Sequence, residues 1–166
     1  MYHKLSQDNY TDMIEIKHKL FPESNSDEDY INYFDNKVKS NYYLVSNKGV
    51  PCAIVGWYEY DSNNVFVGWF GVLEDYRKQG IGTKILEYIM GEVKKLNYKY
   101  LRVYTDKVVN YASTKLYDKY FDIKENYTYP DKLGKTGNFI IYTKYLKDKK
   151  EKWNNMPLKE DDNYNF

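Results

Sequence analysis

The residues best suited to chemistry form one short segment in the middle of the chain. They are Arg77-Lys78-Gln79-Gly80-Ile81-Gly82-Thr83. An apolar, strand-like run precedes this segment and a helix-like pattern follows it, so the segment is predicted to open a helix. The unpaired N–H groups of a helix N-terminus attract anions together with the helix dipole. Two glycines leave no Cβ in the way and two cations add charge, so we predict that this turn binds a phosphate group.

Three nucleotide-binding patterns can be compared with this turn. A P-loop ends in Gly-Lys-Ser/Thr, whereas this chain has Gly82-Thr83-Lys84. A Rossmann fingerprint has a third glycine at the position where Ile85 stands. The pattern Arg-x-x-Gly-x-Gly fits without exception.

The elements that must position this turn follow from hydrophobic periodicity. Helices are predicted over residues 10–20, from a cap at Ser26 through about 38, and over 81–96 and 110–120. Strands are predicted over 42–46, 51–60, 65–73, 100–105, 121–129 and 139–146, with a turn at 47–49. This order predicts a mixed α/β domain, one sheet with helices on both faces, spanning 1–146. Residues 147–166 are predicted to be a polar tail, with Trp153 as its one candidate for attachment to the domain.

Composition excludes several classes of function. The 25 Lys and Arg residues nearly balance the 24 Asp and Glu residues, so no nucleic-acid or anionic-membrane partner is expected. A single cysteine, Cys52, and two histidines, His3 and His18, exclude a multi-cysteine zinc site and a histidine-rich metal centre, so no metal is expected. No run approaches the ~18 apolar residues of a membrane span. A cytoplasmic location is therefore predicted.

Two motifs resemble those of the GCN5-related N-acetyltransferases (GNAT). The first runs Val72-Leu73-Glu74-Asp75-Tyr76-Arg77-Lys78-Gln79-Gly80-Ile81-Gly82, and it departs from the family only in Glu74, where proline is usual, and in Lys78. The second places Tyr117 seven residues after Asn110, although Tyr120 stands where the family has glycine. The resemblance is specific over residues 65–121.

The resemblance implies a fold and a co-substrate. The sheet would be mostly antiparallel and splayed at a central parallel strand pair, with acetyl-CoA between the strands that end near Val72 and Thr105. Main-chain groups of Val72 would hold the pantetheine arm and the acetyl carbonyl. The turn, from Arg77 to Thr83, would hold the pyrophosphate, and Asn110 would contact the cofactor. Gly68 and Gly71 are expected to permit a bulge that opens the groove.

The resemblance also implies the reaction, which is direct transfer of acetyl to an amine. Tyr117 occupies the position of the family's proton donor to the leaving thiolate, although one tyrosine among 21 could equally serve packing. The base is left open between Glu59, Asp106 and a chain of waters. A glutamate typical of the branch that acetylates protein N-termini is replaced here by Thr105.

The acceptor is the least defined element. A small-molecule primary amine is the leading interpretation; a protein or peptide amine, or a non-catalytic acyl-CoA sensor, is the alternative. The family uses its first two helices and their connection to enclose the acceptor, and here that connection, residues 21–29, holds four carboxylates. These acids either favour a cationic amine or complement the dipole of the second helix. Analogy with relatives suggests a homodimer.

Overall fold

The structure is a computed structural model that describes residues 1–24, 26–106, 111–127 and 139–158. Its strands are β1 Tyr2–Lys4, β2 Ser40–Asn47, β3 Val50–Glu59, β4 Asn64–Val72, β5 Tyr100–Asp106, β6 Ile123–Tyr127 and β7 Phe139–Tyr145. Its helices are α1 Tyr10–Leu20, α2 Glu28–Phe34, α3 Ile81–Lys95 and α4 Tyr111–Tyr120, and a single 3₁₀ turn covers Glu74–Tyr76. Among the helices of these residues, none has both the length and the apolar character that crossing a bilayer requires.

One seven-stranded sheet connects the strands in the order β1-β2-β3-β4-β5-β7-β6. The pairs β1–β2, β2–β3, β5–β7 and β6–β7 are antiparallel, and β4–β5 is parallel. The parallel register joins Asn64–Phe66 to Tyr100–Arg102. The predicted mixed sheet, mostly antiparallel with a parallel pair at β4–β5, is thus confirmed, while the opening of that pair into a groove stays a prediction.

The β2–β3 hairpin shows why the predicted turn forms where it does. Asn47 pairs with Val50, which leaves a two-residue loop of Lys48 and Gly49. Both loop residues have left-handed backbone angles, with φ of 49° and 82°. Such two-residue loops match the twist of the strands that they join, and glycine adopts the conformation at little cost.

The described residues divide into two compact units. The first comprises residues 1–59 and 67–92. In it, α1 and α2 cover one face of β2–β3 through a core that includes Met13, Tyr30, Tyr42 and Ile54. The opposite face is covered by α3, whose Glu92 accepts hydrogen bonds from Tyr43 of β2 and Trp57 of β3. Helices therefore lie on both faces of this part of the sheet, as predicted.

The second unit comprises residues 60–66 and the described residues from 93 onward. On one face of β7, Tyr142 contacts the rings of Tyr117 and Phe121 at the end of α4. The other face of the β5–β7 pair carries Arg102 of β5 and is covered by the segment 147–158, whose Trp153 is fully buried. Residues 147–158 of the predicted tail are therefore packed against this unit. The predicted boundary at residue 146, between the domain and its tail, remains a prediction.

Two elements differ from the prediction. The helix expected from Ser26 to about residue 38 covers only Glu28–Phe34, with Asp27 at its N-cap position. It ends early because Asn36 adopts a left-handed conformation with φ of 53°, which a right-handed helix cannot continue. Strand β1 was not predicted, because its three residues are too few to show periodicity; it pairs with β2 through Tyr2 and Val45.

Candidate functional site

The turn after β4 is held together by main-chain hydrogen bonds. The N–H of Leu73 donates to the carbonyl of Cys52 at 2.9 Å, which fixes the end of β4 against the start of β3. The N–H of Tyr76 then donates to Leu73 and that of Arg77 to Glu74, at 2.9 and 3.1 Å. These bonds form the 3₁₀ turn and bring the chain from the strand to the start of α3.

Left-handed geometry directs the turn into the helix. Lys78 and Gly80 have φ of 59° and 76°. The carbonyl of Gly80 accepts the N–H of Lys84 at 3.1 Å and so starts the helical hydrogen-bond pattern. The N–H groups of residues 81–83 therefore lie in the first turn of α3, where a helix offers them no partner of its own. The space in which a Cβ of Gly80 would lie has no described atom within 4 Å.

The positively charged side chains of this turn are exposed to solvent. Arg77 and Lys78 are both exposed, as are Gln79 and Gly80. Arg77 Nε donates to the carbonyl oxygen of Val72 at 2.9 Å, and Gln79 Nε2 donates to the carbonyl of Asp75 at 3.1 Å. The structure thus brings together Val72 and all seven predicted residues of the turn, and it places a cation directly on the Val72 carbonyl.

The two glycines of β4 permit close packing, and the bulge that was expected of them stays a prediction. A Cβ at Gly71 would lie 2.8 Å from Leu20 Cδ1, and one at Gly68 would lie 3.3 Å from Tyr58 Cδ1, so both glycines permit close packing. The left-handed residue in β4 is instead Trp69, with φ of 46°. Sequence reasoning missed this residue, since tryptophan carries no preference for that conformation.

Tyr117 lies in the second unit, on α4. Its side chain is 3% exposed, and its ring contacts Phe121 and Tyr142 with centroids 5.5 and 5.4 Å away. Burial raises the pKa of the Tyr117 phenol above its ordinary value, so the phenol is protonated at neutral pH, as an unperturbed tyrosine also is. This burial fits both a packed aromatic side chain and a phenol that donates a hydrogen bond.

The candidate bases are less favourably placed. Glu59 ends β3 and pairs with Lys39 at 3.6 Å. The end of β4 is bonded to Cys52, seven residues away along β3, which is about 23 Å at the usual rise of a strand. This separation does not support Glu59 as a direct base for an amine at Val72. Asp106 is the last residue of β5, and Asn110 lies outside the described residues.

Sequence reasoning also missed a group of side chains beside β4. Asp29 of α2 accepts a hydrogen bond from Trp69 Nε1 at 2.7 Å, and Lys17 of α1 is fully buried over the Trp69 ring. Burial raises the pKa of Asp29, against the opposing effects of the Trp69 hydrogen bond and of Lys17. The acidic run was noticed in the sequence, but its contacts join residues 40 positions apart and have no local signal.

The family model described as "Acetyltransferase (GNAT) family" matches residues 10–122 of the chain. The match covers both the turn at residues 77–83 and Tyr117, and it extends over more than half of the chain. The chain therefore belongs to the GNAT acetyltransferase family.

Solved structures of similar fold agree with this result. A GNAT family acetyltransferase from Elizabethkingia anophelis, solved with acetyl-CoA bound, gives a TM-score of 0.63 at 18% identity, covering 87% of this chain and 97% of that one. A GNAT acetyltransferase from Staphylococcus aureus Mu50 gives 0.69 at 16% identity, covering 89% and 99%. The ribosomal-protein-S18-alanine N-acetyltransferase of Escherichia coli gives 0.66 at 17%, covering 91% and 97%. No curated protein matches the chain. At these identities the similarity concerns the fold alone.

Proposed function

We propose that this chain is an N-acetyltransferase that transfers the acetyl group of acetyl-CoA directly to a primary amine of a small molecule. The observation that carries the proposal is the turn at residues 77–83 in a chain of the GNAT family. It combines unpaired helix amides, open space beside Gly80 and two exposed cations, which together suit a pyrophosphate. The acetyl-CoA bound to the Elizabethkingia protein supports the choice of co-substrate.

The proposed binding of acetyl-CoA divides into three contacts. The amides from Gln79 to Thr83 would receive the pyrophosphate, with Arg77 and Lys78 adding charge. Main-chain groups of Val72 would receive the pantetheine arm and polarise the acetyl carbonyl. Arg77 Nε donates to the Val72 carbonyl in this structure, so a pantetheine N–H that bonds this carbonyl would have to displace the Arg77 side chain. The displaced guanidinium would then be available to bind phosphate. Asn110 is retained as a further cofactor contact.

The chemistry requires a neutral amine next to the thioester. The amine nitrogen forms a bond to the acetyl carbon, the carbon–sulfur bond breaks, and CoA leaves as a thiolate while the amine loses a proton. We propose that the Tyr117 phenol donates to the departing sulfur. A thiol has a pKa of ~8.5, below that of a buried phenol, so a hydrogen bond to the thiolate is favoured over complete proton transfer.

Tyr117→Phe tests this role directly. We expect turnover to fall roughly 100-fold, the lower end of the effect of removing one hydrogen-bond donor to developing charge, with the Kd of acetyl-CoA changed less than about twofold. Tyr142→Phe is the matched control, because it removes the hydroxyl of a second tyrosine in the same aromatic cluster, whose ring contacts that of Tyr117. Equal turnover in Tyr117→Phe and wild type would refute the assignment.

The proton of the amine goes to a base that we assign to Asp106 or to a chain of waters, in preference to Glu59. Asp106→Asn and Glu59→Gln can be compared through the acidic limb of kcat/KM against pH. Loss of that limb in Asp106→Asn alone would identify the base. Loss of the limb in Glu59→Gln alone would reinstate Glu59, and an unchanged limb in both would favour water.

A panel of amines tests the function as a whole. CoA release from acetyl-CoA would be followed with polyamines, aminoglycosides, amino acids and short peptides, beside Tyr117→Phe. We expect turnover on a small amine. Turnover on peptides alone would favour the protein-amine alternative, and acetyl-CoA binding without turnover would favour a sensor. Absence of acetyl-CoA binding would overturn the proposal.

A cytoplasmic location and a homodimer stay predictions.

A further inference from the structure

Trp69 holds a strained position in the strand that leads to the site. It lies three residues before Val72, and its φ of 46° is in the region that side chains other than glycine rarely adopt. Such a conformation costs free energy and persists only where surrounding contacts enforce it, which is most common near functional sites. The contacts that enforce it here are therefore informative.

Three groups hold the Trp69 side chain. Asp29 Oδ2 accepts the indole N–H at 2.7 Å, Lys17 Nζ lies 4.3 Å from the ring centroid, and the Phe21 ring meets it edge-on at 5.2 Å. Lys17 in turn donates to Asp27 Oδ1 at 2.8 Å and to the carbonyl of Ser26. We call Lys17, Asp29 and Trp69 the clamp.

The clamp joins the first two helices to the end of β4. Lys17 belongs to α1 and Asp29 to α2, while Ser26 and Asp27 belong to the connection between the helices, of which the structure describes residues 21–24 and 26–27. Leu20, at the end of α1, lies against Gly71, where a Cβ would come within 2.8 Å of it. The end of α1 is thus packed on position 71 of β4, and the connection that follows it, through Phe21, is packed on position 69.

We propose that the clamp positions this connection for the acceptor amine, with Trp69 and Asp29 as positioning residues for acceptor binding. The inference rests on the proposed function, because an amine that attacks a carbonyl held at Val72 must reach the end of β4. The segment packed against that end is the connection that Trp69 and Asp29 hold. Loosening the clamp therefore changes the binding of the amine and leaves the pyrophosphate turn intact.

The first unit offers a matched control on the other face of the sheet. Trp57 Nε1 donates to Glu92 Oε2 at 2.7 Å, the same donor, acceptor type and distance as in the clamp. This bond joins β3 to α3 and involves neither α1 nor α2. Trp57→Phe and Trp69→Phe thus remove the same kind of hydrogen bond, and a role confined to stability predicts the same outcome for both.

The experiment compares Trp69→Phe, Asp29→Ala and Asp29→Asn with Trp57→Phe. Loss of a hydrogen bond to a charged group typically corresponds to about tenfold in an equilibrium constant. We expect the acceptor KM to rise by about that factor in Trp69→Phe and Asp29→Ala, with the Kd of acetyl-CoA changed less than about twofold. Asp29→Asn keeps an oxygen acceptor for the indole and should recover most of the loss. In Trp57→Phe the acceptor KM should stay close to wild type.

A second measurement is independent of activity. Amide hydrogen exchange over residues 26–31 should accelerate in Trp69→Phe and not in Trp57→Phe. Equal changes in acceptor KM for the two tryptophan variants, or no recovery by Asp29→Asn, would overturn the inference. If the wild type turns over no amine, the proposed function fails; the exchange comparison then decides alone whether the clamp holds the connection, and equal exchange in the two variants overturns it.

Discussion

Replacing Trp153 with alanine tests whether the segment 147–158 is part of the fold. The side chain is fully buried, and its ring meets those of Tyr60 and Phe66 edge-on, at centroid distances of 4.9 and 5.3 Å. The guanidinium of Arg102 lies 5.1 Å from the ring centroid, and Trp153 Nε1 donates to the carbonyl of Met156 at 2.7 Å. The alanine variant would lose all of these contacts.

The size of the effect follows from the burial. Truncating a buried Phe or Trp to alanine costs about 3–5 kcal/mol, and a desolvated cation–π contact contributes roughly 2 kcal/mol of such an effect. We therefore expect Trp153→Ala to lower the free energy of unfolding by about 3–5 kcal/mol. This is a large part of the roughly 5–15 kcal/mol by which a domain is stable.

Urea unfolding followed by circular dichroism measures this loss. With a slope of about 2 kcal/mol per molar urea, the midpoint should fall by roughly 2 M at an unchanged slope. Trp153→Phe keeps an aromatic ring and should lose markedly less. A loss under about 0.5 kcal/mol in Trp153→Ala, the range of ordinary surface substitutions, would refute the packing argument and favour the polar tail predicted from composition.

Three further outcomes are expected. Gly80→Ala should cost about 1 kcal/mol of stability in urea unfolding and should weaken acetyl-CoA binding in calorimetry, because the φ of Gly80 is 76°. Gly91→Ala, inside α3, should instead gain about 0.5–1 kcal/mol of stability. Equal effects of the two substitutions would contradict this reasoning. Burial raises the pKa of Cys52, so iodoacetamide at pH 7 should modify the native thiol far more slowly than the urea-unfolded one, and equal rates would disprove its burial. Burial also raises the folded-state pKa of Asp29 above its ordinary 3.8, so its contribution to stability is lost as pH rises through the folded pKa. Asp29→Asn should then exceed wild type in free energy of unfolding at pH 8, with the difference disappearing below pH 3.8, and a difference independent of pH would refute this reasoning.

Most of the fold could be predicted because its periodic signals are strong. Helix α1 covers Tyr10–Leu20, the range that its apolar spacing predicts, and α3 ends one residue before the predicted limit. The long strands lie within two residues of their predicted bounds. The turn at residues 77–83 could be predicted as well, because its glycines, its cations and its place before an amphipathic helix are all local features.

The rest depended on contacts between distant parts of the chain. Trp153 stands in a segment without periodicity, so the sequence offered it as a candidate for attachment but did not predict its contacts with Phe66 and Arg102. Arg102 is 1% exposed and reaches Asn64 and Thr143, a burial that an arginine in a strand pattern does not signal. Tyr117 shows a different limit of sequence-based prediction. Its position in the family motif and an ordinary packing role both predict a buried ring, so the burial of Tyr117 does not distinguish between them.

The left-handed conformation of Trp69 is explained by the contacts of its side chain and not by a need of the backbone. Glycine adopts a left-handed conformation at little cost, and β4 already contains glycines at 68 and 71. Those two positions are occupied with packing against Tyr58 and Leu20, while the left-handed angle falls on the large residue between them. The free energy spent there is offset by contacts that only an indole makes together, with an acceptor at its N–H and a cation over its face. The strain at Trp69 therefore reflects the attachment of two helices to the end of this strand.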